Sequence, residues 1–157
     1  MTAYEEPEMG VCVFGGVEAK DTNPKDVVGA TKSPLDVVPH TALHYAAMAF
    51  YEGRTKYGGY NWRVAGVRTS IYVAALLRHT TKFWNGEWAD PKTHVPHLAS
   101  VLACAAIILD AKHVGKLTDD RPPPADMAAL EAEVAEVVRH LNELHAHIHP
   151  THHHAKD

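Results

Sequence analysis

Apolar residues recur three and four positions apart along three stretches of the chain, a spacing that places them on one face of an α-helix. The stretches run over residues 39–58, 69–84 and 97–116. Glycines end the first stretch, and the third is almost entirely apolar until Asp110. We therefore expect three helices, with GGYNWRVAGVR as the loop between the first two and with the third helix as the buried one.

A fourth stretch has a stricter pattern, in which apolar residues alternate three and four positions apart as in a heptad repeat. These residues are Met127, Leu130, Val134, Val137, Leu141, Leu144 and Ile148. The segment before them, LTDDRPPPAD, contains three consecutive prolines, which favour an extended and semi-rigid linker. The heptad helix needs a partner, and it can find one either in its own domain or across a subunit interface, the alternative we favour.

Strand-like alternation is nearly absent and no internal repeat is visible, so the predicted class is all-α. We expect a compact helical bundle with an irregular N-terminal arm and a C-terminal amphipathic helix. The predicted parts are an arm rich in glycine and proline (1–36), a helical core (37–117), a proline-rich linker (118–126), the amphipathic helix (127–149) and a histidine-rich tail (150–157).

Composition and charge exclude several classes of protein. With 157 residues, of which 46% are hydrophobic, the chain can bury one sizeable core. Its formal net charge of -4 is not the basic field of a general nucleic-acid binder, so any phosphate recognition must be local. Two cysteines are too few for a disulfide framework. Neither a signal sequence nor a long apolar run is evident, so we expect a cytoplasmic protein that binds neither a membrane nor a nucleic acid duplex.

Candidate chemistry concentrates in residues 56–98, which begin KYGGYNWR and end in RHTTKFWNGEWADPKTHVPHL. Glu87 and Asp90 are three positions apart and offer the hard oxygen ligands that Mg²⁺ or Mn²⁺ prefers. His79 precedes them and His97 follows, so two imidazoles and two carboxylates could form one cluster. Each has an ordinary alternative, since the acids could be cap or surface residues and the histidines could be hydrogen-bonded core residues.

The same segment contains cations and aromatic residues suited to a nucleotide. The cations that could neutralise phosphate oxygens are Lys56, Arg63, Arg78 and Lys82. Their alternative role is a solvated surface, or salt bridges to Glu52 and Glu87. Asn61 is flanked by Tyr57, Tyr60 and Trp62, which could stack on a base while the amide binds its edge, or could simply close the core.

The order of the motifs SPLDVVP, GRTKYGGYNWR, ALLRH, NGEWADP and HLA resembles a phage and bacterial family of dATP/dGTP diphosphohydrolases, N-terminal type. That family is associated with the MazG-like, all-α nucleoside triphosphate pyrophosphohydrolases. The resemblance covers roughly residues 23–110. It implies a MazG-like fold and hydrolysis of a purine deoxynucleoside triphosphate, dATP or dGTP, to the monophosphate and pyrophosphate. It also implies a divalent metal cofactor, Mg²⁺ or Mn²⁺ or another transition metal, and a homo-oligomer, either a dimer or a tetramer. In a phage setting, it implies remodelling of the nucleotide pool in the host cytoplasm.

Matching positions carry the family's site residues to this chain. Under the resemblance, the metal ligands and catalytic residues are Glu87, Asp90, His79 and His97, with one imidazole left as base. The substrate-binding residues that it implies are Lys56, Tyr57, Asn61, Trp62 and Arg78, and the local cations Arg63 and Lys82 join them as candidates on their chemistry alone. The chain departs from the family pattern in having Ser100 in place of a second histidine, and His94 in a turn that is usually Ser-Gly. No ExxE motif precedes EWAD, and Glu52 is the nearest upstream helical acid.

Two alternative functions remain open from the sequence. One is a nucleotide-binding oligomer without catalysis, in which the altered ligand set no longer activates water. The other is a phosphohydrolase that releases nucleoside and triphosphate, which is disfavoured because the chain contains no His-Asp dipeptide.

Overall fold

The computed structural model describes residues 24–29 and 31–154, and the chain divides after Pro39 into two compact units. The first unit contains a short helix, α1 (Pro24–Gly29), and a 3₁₀ turn at Leu35–Val37. The prediction of a wholly irregular arm is therefore wrong at these two segments. A proline is tolerated in the first turn of a helix, which explains how PKDVVG can form one. The remainder of the arm lies outside the described residues.

The second unit is built from helices and confirms the all-α class. Its helices are α2 (His40–Tyr57), α3 (Asn61–Ala65), α4 (Thr69–Trp84), α5 (His97–His113) and α6 (Met127–Leu144). Two short strands, β1 (Val67–Arg68) and β2 (Leu117–Thr118), pair in parallel. The four long helices predicted from periodicity are confirmed, whereas the predicted loop GGYNWRVAGVR contains α3 and β1.

The central helix of the second unit is α5, which packs against α4 and against α2. Its buried alanines, Ala99 and Ala103, form the core with Ala49 of α2 and with Val95, and Phe50 packs against them. Because alanine side chains are small, the helix backbones can approach closely. The prediction that the third helix is the buried one is confirmed.

The two-residue strand pair fixes the beginning of α4. Gly66 has a φ of +77°, and a Cβ at this position would lie 2.9 Å from the carbonyl oxygen of Lys116. Only glycine avoids both the contact and the strained backbone. Just after β1, in the first turn of α4, the backbone amide and the hydroxyl of Ser70 both donate to the Asp120 carboxylate, at 2.8 and 2.5 Å. The start of the linker is therefore attached to the N-terminus of α4.

Large apolar side chains remain exposed on the helices of this single chain. Examples on the second unit are Tyr51 (66% exposed), Leu77 (58%), Trp84 (85%) and Leu109 (70%). Contiguous exposed apolar surface usually marks an interaction site. Among the described residues, no helix is long and apolar enough to cross a membrane.

Candidate active site

The segment between α4 and α5 folds back so that its acidic residues lie at the start of α5. The amide nitrogen of the Asn85 side chain donates to the carbonyl of Thr81 at 3.0 Å and closes the end of α4. Gly86 then takes a left-handed conformation, with a φ of +91°. The backbone amide of His97 donates to the carbonyl of Trp88 at 3.0 Å. These bonds bring Glu87 next to the first residue of α5.

His79, His97 and Glu87 form a continuous hydrogen-bonded chain. Nδ1 of His97 lies 2.9 Å from Nδ1 of His79, and Nε2 of His97 lies 3.0 Å from Oε1 of Glu87. The His97 side chain is fully buried, whereas Glu87 is 38% exposed. The predicted cluster of these three residues is thus brought together, but as a chain of hydrogen bonds along which each residue touches the next.

When both imidazole rings are neutral, the positions of the protons in the hydrogen bonds between His79, His97 and Glu87 can be assigned by elimination. An ionised carboxylate only accepts hydrogen bonds, so His97 donates its Nε2 proton to Glu87. Nδ1 of His97 is then an acceptor, and His79 must donate from its own Nδ1. Nε2 of His79 is left with a lone pair, and the described residues supply no hydrogen-bond partner for it. His79 is therefore held in the form that accepts a proton.

The electrostatic surroundings of His79, His97 and Glu87 favour a neutral His79 and an ionised Glu87. Partial burial, together with the positive charge that His97 could carry, lowers the pKa of His79 from its ordinary value. The hydrogen bond from His97 lowers the pKa of Glu87, as does the charge of Lys82, whose Nζ lies 3.4 Å from Oε1 of Glu87. Near neutral pH, Glu87 is ionised and His79 is largely neutral.

Asp90 is held by its own turn beside this chain. Its Oδ1 accepts hydrogen bonds from the backbone amides of Lys92 and Thr93, each at 3.0 Å, and these bonds lower the pKa of the Asp90 carboxyl. His94, the residue that departs from the expected Ser-Gly turn, has a φ of +59° and donates its backbone amide to the Asp90 carbonyl at 2.8 Å. Glycine, as in the expected Ser-Gly turn, would adopt this left-handed conformation without strain.

Four of the predicted substrate-binding residues line one small cavity of about 160 Å³ between α2, α3 and α5. They are Lys56, Tyr57, Asn61 and Trp62. Ser100 and Cys104 line the same cavity from α5, and Tyr72 lines it from α4. The structure thus brings together predicted cationic, aromatic and amide groups that are adjacent in sequence and places Ser100 among them.

Glu52 connects this cavity with the loop that carries Asp90. It forms an ion pair with Lys56, which raises the pKa of Lys56, and the negative charge of Asp90 also contributes to that increase. Glu52 also lines a wider, more open hollow of about 660 Å³, together with Thr93, His94 and Val95. The sequence singled out Glu52 only as the nearest upstream acid, yet the structure places it beside both parts of the candidate site.

Arg63 is engaged in a salt bridge rather than lining the cavity. Its Nε and Nη2 donate to the two oxygens of Asp110 at 2.8 and 2.7 Å, and Nε1 of Trp62 donates to Oδ2 at 2.6 Å. These bonds, with that of Arg63 first, lower the pKa of Asp110 to about 2. The Arg63 guanidinium also lies 5.0 Å from the ring centre of Tyr60. Sequence reasoning missed Asp110, although a carboxylate after an almost wholly apolar run was a signal that it required a partner.

The remaining predicted cations lie on α4. Lys82 is near Glu87, which is the salt-bridge alternative foreseen for it, and Arg78 is exposed on the helix surface. The charges of both lower the pKa of His79, after the effects of burial and of His97. They therefore help to keep His79 neutral.

The four predicted metal ligands do not converge on one point. Among residues 24–29 and 31–154, no group of three or more His, Cys, Asp or Glu side chains is arranged to hold a metal ion. The His97 imidazole fits a metal site poorly because both of its nitrogens are hydrogen-bonded within a buried ring. Glu87 and Asp90 fit better, since both are partly exposed carboxylates with the hard oxygens that Mg²⁺ or Mn²⁺ prefers.

Comparison with known proteins locates these residues within one family. A family model described as dATP/dGTP diphosphohydrolase, N-terminal, matches residues 22–121. No curated protein and no solved structure gives a significant match. The matched region includes every candidate site residue described above and ends before α6.

Proposed function

Because the chain belongs to the dATP/dGTP diphosphohydrolase, N-terminal, family, we propose that it hydrolyses a purine deoxynucleoside triphosphate to the monophosphate and pyrophosphate. The substrate is dATP or dGTP. The observation that carries this proposal is the hydrogen-bonded chain from Glu87 through His97 to His79, which leaves Nε2 of His79 as a proton acceptor.

In the proposed reaction, a water molecule attacks the α-phosphorus and transfers a proton to Nε2 of His79. The new bond joins the water oxygen to the α-phosphorus, and the bond from this phosphorus to the oxygen that bridges the α- and β-phosphates breaks. Pyrophosphate leaves with the bridging oxygen and its electron pair. Glu87 stabilises the positive charge that develops across the two imidazoles, as a carboxylate does when it orients a catalytic histidine.

The small cavity between α2, α3 and α5 is assigned to the substrate, and Lys82, which lies beside Glu87 and not in the cavity lining, is assigned to its phosphates. Lys56 and Lys82 neutralise polyphosphate oxygens, since a lysine ammonium is a compact charge that tolerates changing geometry. Asn61 binds the edge of the base while Tyr57 and Trp62 provide aromatic surface for it. Arg63 contributes indirectly, because its salt bridge to Asp110 holds Trp62 in place.

We propose that a divalent ion, Mg²⁺ or Mn²⁺, would be held by Glu87 and Asp90, whose carboxylates are both partly exposed. Such an ion would neutralise negative charge on the phosphate oxygens. His79 and His97 are assigned to proton transfer rather than to metal binding in this proposal.

We also propose an assembly and a cellular setting for this protein. A homo-oligomer, a dimer or a tetramer, is supported by the apolar side chains that one copy leaves exposed, including Tyr51 and Leu77. The setting is the cytoplasm, which is the host cytoplasm if a phage encodes the chain, where the enzyme would deplete a purine deoxynucleotide or supply its monophosphate.

The test is a chromatographic screen of all dNTPs and NTPs with Mg²⁺ or Mn²⁺, in which every product is identified. We expect a purine deoxynucleoside monophosphate and pyrophosphate, and a marked loss of rate for Glu87→Ala. Release of nucleoside and triphosphate would contradict the proposed reaction. Binding of dATP or dGTP without turnover would instead support the alternative of a nucleotide-binding oligomer.

A further inference from the structure

The C-terminal helix α6 presents an apolar face that nothing in the described structure covers. Every residue of α6 is exposed, and the six apolar residues of its heptad stripe are each 45–54% exposed. The helix is closed at its start by Asp126, whose carboxylate accepts the backbone amide of Ala129 at 2.9 Å. It lies beyond the region that the family model matches. Its role is therefore a question separate from the proposed hydrolysis.

The heptad pattern defines which residues would flank a partner helix. With Val134 and Leu141 at position a, and Leu130 and Val137 at position d, the flanking g positions hold an acid in the first half of the helix and an imidazole in the second. Within α6 these are Glu133 and His140.

Charge complementarity distinguishes the two ways of pairing α6 with a copy of itself. In an antiparallel pair, Leu130 packs against Leu141 of the second copy, and Glu133 lies next to His140 of that copy. An imidazole can donate to a carboxylate whether or not it carries a charge.

A parallel pair would lack this complementarity. Each g residue would then face the residue five positions later in the other copy, which sets Asp126 against Glu131 and His140 against His145. Two carboxylates at such close range would repel each other. The distribution of charge along α6 therefore favours the antiparallel pair.

The charge of α6 also argues against an anionic membrane surface as its partner. The helix contains four glutamates and one arginine, and that arginine, Arg139, is paired with Glu136 and Glu143 on the same helix. Helices that bind anionic lipids are instead rich in lysine and arginine on the polar face.

We propose that α6 is a self-association helix that pairs antiparallel with α6 of a second copy of this chain. Leu130 of each helix packs against Leu141 of the other, and Glu133 of each helix is hydrogen-bonded to His140 of the other.

Disulfide cross-linking of the full chain tests this arrangement. Leu130→Cys and Leu141→Cys variants are prepared separately, mixed, oxidised with glutathione and mapped by peptide mass. We expect a disulfide between positions 130 and 141 in the mixture and no self-linked product from either variant alone. In the antiparallel pair, two copies of position 130 are separated by eleven residues along the axis, about 16 Å at the helical rise and too far for a disulfide. Self-linked 130–130 or 141–141 products would indicate a parallel pair and overturn the proposal, as would the absence of any cross-link involving α6.

Exchange of charge between positions 133 and 140 tests the proposed contact of Glu133 with His140 of the second copy. Glu133→Lys and His140→Glu should each reduce the yield of the 130–141 cross-link at least threefold, and the double variant should restore it. Failure of the double variant to restore the yield would overturn the assigned Glu133–His140 contact.

Leu141→Glu should weaken self-association in sedimentation velocity about tenfold or more, whereas Asn142→Glu, which adds the same charge outside the stripe, should not. Equal effects of these two substitutions would contradict pairing through the apolar stripe.

Discussion

Nδ1 of His79 and Nδ1 of His97 lie 2.9 Å apart and share one proton between two helices. Since Glu87 takes the only other hydrogen-bonding position of His97, the carboxylate determines which nitrogen of His79 is unprotonated. Through the buried ring of His97, Glu87 thus determines the tautomer of His79, which it does not contact.

Replacing the proposed base should reduce turnover more than binding. For His79→Gln, we expect kcat to fall by about 10²-fold or more with little change in KM, because a general base acts mainly in the transition state. Thr80→Ala, an exposed neighbour whose hydroxyl donates to the Leu76 carbonyl, is the control and should retain nearly full activity. Steady-state kinetics with dATP and dGTP measure both. An unaltered kcat for His79→Gln would rule out its role as base.

The rate should depend on pH in a way set by His79. Burial and the neighbouring cations lower the pKa of His79 below 6.5, and the base must be unprotonated to accept a proton. We therefore expect kcat/KM to be constant near neutral pH and to fall as the pH drops through that lowered pKa. A pH–rate profile at constant metal and substrate concentration provides the measurement. An acidic decline centred above pH 6.5 would be inconsistent with His79 as the titrating group.

The salt bridge of Asp110 should make stability depend on pH in the acid range. The pKa of Asp110 is lowered from 3.8 to about 2, so its stabilising effect is complete above pH 3.8 and is lost as the pH falls toward 2. Asp110→Asn should therefore lower the urea midpoint at pH 7, and the difference from the unmodified protein should shrink as the pH falls. Glu131→Gln, which removes an exposed carboxylate of α6, should have little effect at either pH. A constant difference across the acid range would show that the substitution acts through packing instead.

Replacing Gly66 and Gly53 by alanine tests whether the positive φ of Gly66 is needed for stability. Gly66→Ala should destabilise the protein by about 1–3 kcal/mol, because its φ of +77° is strained for alanine and the new Cβ would lie 2.9 Å from the Lys116 carbonyl oxygen. Gly53→Ala lies within α2 and meets no atom within 4 Å, so it should be neutral or stabilising by up to about 1 kcal/mol. Equilibrium unfolding in urea compares the two. Similar effects would show that the strand junction does not require glycine.

The sequence predicted local structure far better than long-range contacts. The 69–84 helix begins and ends as its periodicity indicated, because the pattern of apolar side chains within one helix determines which face is buried. The proximity of His79, Glu87 and His97 was also predicted, but as a set of metal ligands. Whether they touch one another or a shared ion depends on side-chain geometry, which spacing does not specify.

The contact between Arg63 and Asp110 shows that a local sequence pattern does not predict contacts between residues distant in sequence. These residues are 47 positions apart, and each has ordinary alternatives when considered alone. The interpretation of Arg63 as a phosphate ligand was reasonable for a cation in an aromatic loop. Only the packing of α3 near the end of α5 reveals the carboxylate that pairs with it.

The attachment of Asp120 to Ser70 limits how far α6 can extend from the bundle. With the chain fixed at that point, only residues 121–126 separate the bundle from the helix, and an extended proline-rich segment of that length spans about 19 Å. A pair of α6 helices joined through two such short tethers would keep two helical bundles at a high effective concentration. Weak contacts between the bundles could then persist at dilutions where separate bundles would dissociate.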